Sequence, residues 1–300
     1  LRTTRTAHTR ISRAVDCFPV KLERRSLNLQ DRDRTFLVVR ADEPRQTPDL
    51  LIFFHGSLQS GSVMRRFTAG TFDTLADRHG MIVAFPNGVE QHFNDARATL
   101  PVAARELGID DVAFTQAIAN QLRAEFGVGR IFACGFSNGG QMVIRLLFDA
   151  PGLLDGAAVF ASTLGAGANH APTNPDSAYH PTPVLFMHGT GDPLAPYDGG
   201  TAGIDPKRTR GAVTSAPFTA ARFAELNDAT GPDRSQPFAD TTVDRWARAD
   251  GSFPVELWTV QGMGHVVPSG NDLDIRLGKN TRSFLAADVV EDFFGLGAAL

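Results

Sequence analysis

The stretch RIFACGFSNGGQMVIRLLFDA, residues 130–150, says more about the fold than any other part of the chain. Residues 131–136 are all apolar or small, which is typical of a β-strand buried on both faces. The segment after Ser137 has helical spacing and ends before a proline. Between them lies GFSNG at 135–139, a G-x-S-x-G motif, in which small neighbours allow the tight, strained turn of a nucleophile elbow. We therefore predict that Ser137 stands at the tip of a strand-to-helix turn.

The rest of the chain alternates strand-like and helix-like segments. Apolar runs predict strands at 50–56, 81–88, 156–163, 183–189 and 255–260, and helical spacing predicts helices at 72–80, 110–127, 218–228 and 284–295. This alternation indicates an α/β fold with a mostly parallel sheet and helices on both faces. A hairpin of 25–30 and 35–40 should add an antiparallel N-terminal edge. The Gly/Pro/Asn-rich stretches 164–182 and 229–240 are expected to be loops.

Composition excludes several classes of protein. The chain has 300 residues, of which 42% are hydrophobic and 21% charged, so it can bury a full core. No apolar run approaches the roughly 18 residues of a membrane span. The net charge is −4 and the basic residues are scattered, which excludes a nucleic-acid footprint. We expect one catalytic domain over 25–300, preceded by an N-terminal extension over 1–24.

The N-terminus and the cysteines leave the cellular compartment open. The first 15 residues carry four arginines without an apolar segment behind them, so they are not an intact signal peptide and are expected to be a solvated terminus. Cys17 and Cys134 are too few for a disulfide scaffold or a Cys-based zinc site. Two separate reduced thiols are favoured over a bridge between them. No metal, nucleotide or other cofactor is expected, since no H-E-x-x-H, calcium-loop, Walker A or G-x-G-x-x-G pattern occurs.

A serine nucleophile needs a histidine base that an acid orients. At an elbow of this type the chain order is Ser, Asp or Glu, then His, each after a strand. Asp192 follows the predicted strand 183–189, and His265 follows the last predicted strand. The sequence therefore predicts Ser137, Asp192 and His265 as nucleophile, acid and base, with Asp176 and Asp198 left as alternatives for the acid.

The other histidines after Ser137 are weaker candidates for the base. His170 and His180 lie in a loop-rich stretch. His188 ends a predicted strand, where we expect it to pack or to hydrogen bond to the backbone.

Two backbone amides are predicted to form an oxyanion hole. His55-Gly56 closes an early strand, and the turn after it indicates the amide of Ser57 as one donor. The second donor should be the amide of Asn138, directly after the nucleophile. Since both donors are backbone groups, the side chains of Ser57 and Asn138 should be less constrained by the chemistry. His55 is expected to brace the loop.

Three aromatic residues flank the proposed catalytic loops. Phe93, Phe136 and Tyr197 are therefore candidates for contact with the substrate, with simple packing as the alternative.

Four segments together resemble a known family. GFSNGGQM, IDDVAF, PVLFMHGTGDPLAPYDGG and VELWTVQGMGHVVP, in this order over roughly 25–296, are similar to esterases that include polyhydroxybutyrate depolymerases and feruloyl esterases. The resemblance implies an α/β-hydrolase fold, the triad Ser137, Asp192 and His265, and hydroxyalkanoate or feruloyl esters, polymeric or small, as substrates. It favours a secreted or periplasmic location slightly, with the cytoplasm still open.

The chain departs from this family at two positions. Many relatives have an aromatic residue before the proline that follows the catalytic histidine, where this chain has Val266 and Val267. Relatives commonly have Trp where this chain has Phe93. Both changes reduce the aromatic surface expected near the substrate pocket.

Two other functions stay open. A serine peptidase could use the same triad, but the chain has no propeller or lid domain of the kind that large serine peptidases attach. A non-catalytic binding protein on the same scaffold is the second alternative, and the presence of all three triad residue types in order argues against it.

Overall fold

A computed structural model of the chain describes residues 20–99, 101–203 and 209–296. The strands of these residues are β1 Val20–Leu29, β2 Arg32–Ala41, β3 Leu50–Phe54, β4 Ile82–Pro86, β5 Ile131–Phe136, β6 Gly156–Phe160, β7 Val184–Gly189, β8 Gly200–Gly203, β9 Thr209–Val213, β10 Thr230–Phe238, β11 Thr241–Ala247 and β12 Val255–Val260. The α-helices are α1 Gly61–Phe67, α2 Asp73–His79, α3 Ala103–Glu106, α4 Asp111–Phe126, α5 Asn138–Asp149, α6 Ala216–Leu226 and α7 Ala286–Phe293.

Ten of these strands form one sheet in the order β1-β2-β4-β3-β5-β6-β7-β12-β11-β10, and β8 pairs with β9. The pairs from β4 across to β12 are parallel, and the pairs at both ends of the sheet are antiparallel. This arrangement confirms the predicted α/β-hydrolase fold with its antiparallel N-terminal edge. Parallel strands bring their carboxyl ends to one side of the sheet, which is where such folds hold their sites.

The third strand explains why the sheet is covered on both faces. Leu50, Ile52 and Phe54 pack into the core beneath α4, α5 and α6. Leu51 and Phe53 point the other way, into the core beneath α1, α2 and α7. All five are buried, and burying each such side chain is worth about 1.5–3 kcal/mol. A strand that is apolar on both faces is stable only in the middle of a covered sheet.

The two edges of the sheet differ from the sequence prediction. At the N-terminal edge, β1 begins at Val20, which pairs with Ala41, so the hairpin takes in part of the range 1–24 that was expected to be an extension. At the other edge, β10 occupies most of the stretch 229–240 that was expected to be a loop. Its residues are exposed except at the end, and its pairing with β11 is irregular. An exposed edge strand has no apolar alternation, so periodicity could not reveal it.

Several sequence expectations concern residues outside the described ranges, among them Cys17 and the arginine-rich start of the chain. Cys134 is a free thiol buried in β5, and burial raises its pKa well above the usual range. No helix within the described ranges has both the length and the apolar character that crossing a bilayer requires. Within the same ranges, no group of three or more His, Cys, Asp or Glu is placed to hold a metal ion.

Candidate active site

Ser137 sits on a strained turn between β5 and α5. Its backbone has φ 54° and ψ −115°, a conformation that costs an L-residue about 1–3 kcal/mol. The glycines on either side make the turn possible: a Cβ on Gly135 would lie 2.2 Å from the carbonyl oxygen of Gly139, and one on Gly139 would lie 2.1 Å from that of Phe54. Ser162 Oγ donates a hydrogen bond to the Ser137 carbonyl oxygen at 2.9 Å. The predicted elbow geometry is therefore present, and its serine hydroxyl lines a pocket.

Asp192 lies three residues beyond β7, where its carboxylate is fully engaged. Oδ1 accepts hydrogen bonds from the amides of Leu194 and Ala195, both at 2.8 Å. Oδ2 accepts one from His265 Nδ1, also at 2.8 Å. Burial alone would raise the pKa of Asp192, but the charge of His265 and hydrogen bonds from His188 and His265 hold it well below its usual range. The carboxylate is therefore ionised, and the proton of this bond belongs to His265 Nδ1.

His265 is held in a loop after β12. Its amide donates to the carbonyl oxygen of Leu277 at 2.6 Å, and the preceding Gly264 passes so close to that oxygen that a Cβ would lie 2.0 Å from it. The imidazole packs against Phe136, with ring centroids 4.9 Å apart. Its Nε2 has no hydrogen-bond partner among the described residues, and no hydrogen bond joins it to Ser137. One ring nitrogen is thus fixed by a carboxylate, while the ring itself lines the same pocket as Ser137.

This pocket has a volume of about 330 Å³. Its polar lining includes Ser57, Ser137 and His265. Its apolar lining consists of Leu58, Phe136, Ala161, Leu194, Ala195, Ala202, Val213 and Leu277. Predominantly apolar walls with a few polar groups are typical of sites for small organic ligands.

The structure constrains Asn138 more than the sequence suggested. Its amide lies in the first turn of α5, where backbone N–H groups have no acceptor within the helix. Its side chain is fully buried: Oδ1 accepts from the amide of Phe93, and Nδ2 donates to the Phe93 carbonyl oxygen and to Asp95 Oδ2. This amide group ties the start of α5 to the loop after β4, so the Asn138 side chain is constrained by structure even though the proposed chemistry uses its backbone amide.

The hydroxyl of Ser57 also has a hydrogen-bond partner. It accepts a hydrogen bond from the guanidinium of Arg210, a residue of β9. Ser57 itself lies in the turn after β3 and lines the pocket, as its predicted role requires.

His55 and His188 both hydrogen bond to the backbone. His55 Nδ1 donates to the Gly56 carbonyl oxygen at 2.7 Å, and its Nε2 accepts from the amide of Gly88 at 3.0 Å. Burial lowers the pKa of His55 to about 4. His188 Nε2 donates to the Ala195 carbonyl oxygen at 2.8 Å and lies 3.4 Å from Asp192 Oδ2.

The three aromatic candidates have different surroundings. Phe136 lines the pocket between His265 and Phe67. Phe93 is fully buried against Phe54 and His55, so the structure places it in the core instead of at the substrate pocket. Tyr197 does not line the pocket either. Its hydroxyl is 2.8 Å from Thr259 Oγ1, and this bond turns it toward the sheet.

The alternative acids lie elsewhere. Asp176 pairs with Arg222 on the surface, and Asp198 is exposed. Sequence reasoning also missed Asp95, Arg97 and Arg210, which lie in or behind the pocket wall. Only long-range packing brings them there, so no local pattern could have identified them.

The sheet order and the serine turn between β5 and α5 define an α/β hydrolase. Residues 34–203 match the family model described as Phospholipase/Carboxylesterase. The chain belongs to this family and is a carboxylic ester hydrolase.

Individual relatives agree with this assignment. The chain is 30% identical over 262 residues to the putative esterase NocK of Nocardia uniformis subsp. tsuyamanensis, covering 81% of this chain and 73% of that protein. It is 27% identical over 235 residues to feruloyl esterase B of Piromyces equi, which covers 74% of this chain but 40% of that protein. The solved acetyl xylan esterase from Aspergillus awamori has a TM-score of 0.64 at 15% identity, covering 92% of this chain and all of its own, which shows the shared fold. The narrower resemblance to polyhydroxybutyrate depolymerases stays a prediction.

Proposed function

We propose that this protein is a serine carboxylesterase in which Ser137 is the nucleophile, His265 the base and Asp192 the residue that orients the base. One observation carries the proposal: His265 donates a 2.8 Å hydrogen bond to a buried carboxylate while lining the same pocket as a strained elbow serine. A histidine held in this way has a defined tautomer, with its free Nε2 lone pair available to accept a proton.

The first half of the reaction forms an acyl-enzyme. Ser137 Oγ attacks the ester carbonyl carbon while His265 Nε2 accepts the hydroxyl proton. Asp192 stabilises the imidazolium that results, and stays ionised itself. The negative charge on the carbonyl oxygen is stabilised by the amides of Ser57 and Asn138, each worth roughly 3 kcal/mol. The tetrahedral intermediate collapses, and His265 gives its proton to the departing alcohol.

The second half returns the enzyme to its starting state. A water molecule attacks the acyl carbon, and His265 takes one of its protons. The same two amides stabilise the second oxyanion. The acyl–Ser137 bond then breaks, the carboxylic acid leaves, and Ser137 regains its proton from His265.

The substrates proposed are hydroxyalkanoate or feruloyl and other aryl esters. The family resemblance supports this choice, as does the relative named a feruloyl esterase. The largely apolar walls suit an acyl or aryl group of modest size. We assign this activity to a single catalytic domain.

Three measurements test the proposal. Fluorophosphonate treatment followed by mass spectrometry should place the adduct on Ser137, and Ser137→Ala should abolish labelling. A panel of p-nitrophenyl esters, methyl ferulate and polyhydroxybutyrate film then defines the substrate, and matched ester and anilide substrates separate an esterase from a peptidase. An adduct at another residue, or hydrolysis that survives Ser137→Ala, would overturn the assignment.

A further inference from the structure

Three arginines line the pocket, and two of them have their charge balanced. Arg97 forms a two-pronged salt bridge to the buried Asp95, with a closest distance of 2.5 Å. Arg276 pairs with Asp274, also at 2.5 Å, near the surface. In both cases a carboxylate lies directly against the guanidinium, so neither arginine leaves a free positive charge for a ligand.

Arg210 differs from the other two. Among the described residues, no carboxylate lies within salt-bridge distance of it, and its one side-chain hydrogen bond goes to the neutral hydroxyl of Ser57. The residue is half-buried. Burial, and then the nearby charge of Arg97, lower the pKa of Arg210 to about 10, which still leaves it charged at neutral pH. The charge of Asp95 acts the other way on this pKa, but that carboxylate is already paired with Arg97. A partly buried cation that no carboxylate of the described residues contacts is unfavourable, so an anion in the pocket would stabilise it.

The position of this cation is as informative as its charge. Ser57 carries the backbone amide that we assign to the oxyanion hole, and Arg210 donates to the side chain of the same residue. The guanidinium therefore lies beside the residue whose amide we assign to the oxyanion hole, in the pocket that Ser137 also lines. A guanidinium has five N–H donors, and most of those on Arg210 remain available. Its planar fork matches the two oxygens of a carboxylate.

We propose that Arg210 recognises a free carboxylate on the substrate, so that the preferred substrates are esters that carry a second, unesterified carboxyl group. Half-esters of dicarboxylic acids and acyl esters of hydroxy acids have this character. Of the pocket arginines, Arg210 alone has no carboxylate partner among the described residues, and a single free guanidinium suits a singly charged carboxylate better than a phosphate with its higher charge and additional acceptors. This inference rests on the proposed esterase function and names the substrate class within it.

Two pairs of matched esters test the inference. Mono-4-nitrophenyl adipate and 4-nitrophenyl hexanoate differ in a carboxylate on the acyl side. The acetate esters of 4-hydroxybenzoate and 4-hydroxybenzamide differ in a carboxylate on the alcohol side. Wild-type enzyme should prefer the charged member of at least one pair by roughly 10- to 100-fold in kcat/KM, the size expected for a charge-assisted hydrogen bond.

Variants then assign the preference to its residue. Arg210→Gln should remove most of this ratio, and Arg210→Lys should restore part of it, because a lysine keeps the charge and loses the fork. The matched control replaces both members of the neutral pair, in Arg276→Gln/Asp274→Asn: the net charge of the pocket is unchanged, so the ratio should stay as in wild type. A ratio that Arg210→Gln leaves unchanged, or that the Arg276→Gln/Asp274→Asn control removes equally, would overturn the inference.

A binding measurement separates this inference from the esterase assignment. In a Ser137→Ala background, calorimetry should show that monomethyl adipate binds more tightly than dimethyl adipate, and that Arg210→Gln abolishes the difference. If wild-type enzyme hydrolyses the neutral esters at Ser137 but shows no preference for a carboxylate in either pair, the substrate class alone is wrong. If neutral and charged esters are both left intact, the esterase proposal fails, and the calorimetric comparison still decides whether Arg210 binds a carboxylate.

Discussion

His55 and His265 follow two strands of the same sheet, yet their surroundings differ in one decisive respect. Both are almost inaccessible, with exposed fractions of 0% and 5%. Both ring nitrogens of His55 are hydrogen bonded to backbone groups. His265 uses one nitrogen on the Asp192 carboxylate, and its ring lines the pocket.

Burial therefore does not distinguish the proposed catalytic base, His265, from a structural histidine such as His55. His55 must accept at Nε2 and donate at Nδ1, which only the neutral ring can do, so its environment opposes a charge. His265 faces an ionised carboxylate that favours the imidazolium form during proton transfer. The hydrogen-bond partners of each ring therefore define its role.

Removing the proposed base should have the largest effect. His265→Ala should lower kcat for a p-nitrophenyl ester by about 10⁴- to 10⁶-fold, because the serine loses its proton acceptor. Adding Ser137→Ala should cost little more, since the triad acts as a unit. Steady-state kinetics with active-site titration measures both. Substantial activity in His265→Ala would mean that another residue is the base.

Changing the partner of the base should have the next largest effect. Asp192→Asn keeps the shape of the side chain but favours the wrong imidazole tautomer, so kcat should fall by roughly 10³- to 10⁴-fold while the fold is retained. Circular dichroism checks the fold. Asp176→Asn and Asp198→Asn are the matched controls and should keep kcat within a few-fold of wild type. If either control is the crippling change, the acid has been misassigned.

His55 should make the free energy of unfolding depend on pH in the acid range. Its folded-state pKa is about 4 against an ordinary 6.5, so the unfolded chain binds a proton between these values and the folded one does not. The contribution of His55 to the free energy of unfolding is fully present above pH 6.5. It is lost as the pH falls toward 4, by about 3 kcal/mol in total. His55→Gln removes this dependence, and urea unfolding at pH 4, 5, 6 and 7 measures it. Parallel curves for wild type and variant would show that folding leaves the pKa of His55 near its ordinary value.

His188, like His55, hydrogen bonds to the backbone, and we expect its replacement to have a smaller effect on kcat than that of Asp192. His188→Ala removes a bond to the Ala195 carbonyl oxygen and leaves a buried gap, so unfolding should become easier by about 2 kcal/mol. Asp192 keeps its two amide donors and His265, so kcat should change less than about 10-fold. A loss of kcat comparable with that of Asp192→Asn would give His188 a part in catalysis.

The parallel centre of the fold could be predicted because its strands are continuous apolar runs, such as Leu50–Phe54, separated by amphipathic helices. The edges could not. The residues of β10 are exposed along nearly its whole length, so its sequence shows no alternation of apolar and polar residues. The strand is defined by its backbone pairing with β11. The spacing of apolar residues in a sequence indicates which side chains are buried. It cannot predict a strand whose backbone is paired while its side chains stay exposed.

The site divides in the same way. A motif and a chain order selected Ser137, Asp192 and His265; the structure joins Asp192 to His265 and places His265 in the pocket of Ser137, while their catalytic roles stay a proposal. For Phe93 the sequence left substrate contact and simple packing open, because the direction of its side chain depends on the turn after β4; the structure packs it on His55. Arg210 lies 153 positions from Ser57, and only the three-dimensional arrangement brings the two together.

The strained backbone at Ser137 implies a conflict between stability and activity. Glycine adopts a positive φ without penalty, so Ser137→Gly should raise the free energy of unfolding by about 1 kcal/mol while abolishing hydrolysis. Thermal unfolding would show this as a rise in Tm of roughly 2 °C or more. An inactive chain would thus be the more stable one, and a screen for thermostability alone would tend to discard the nucleophile.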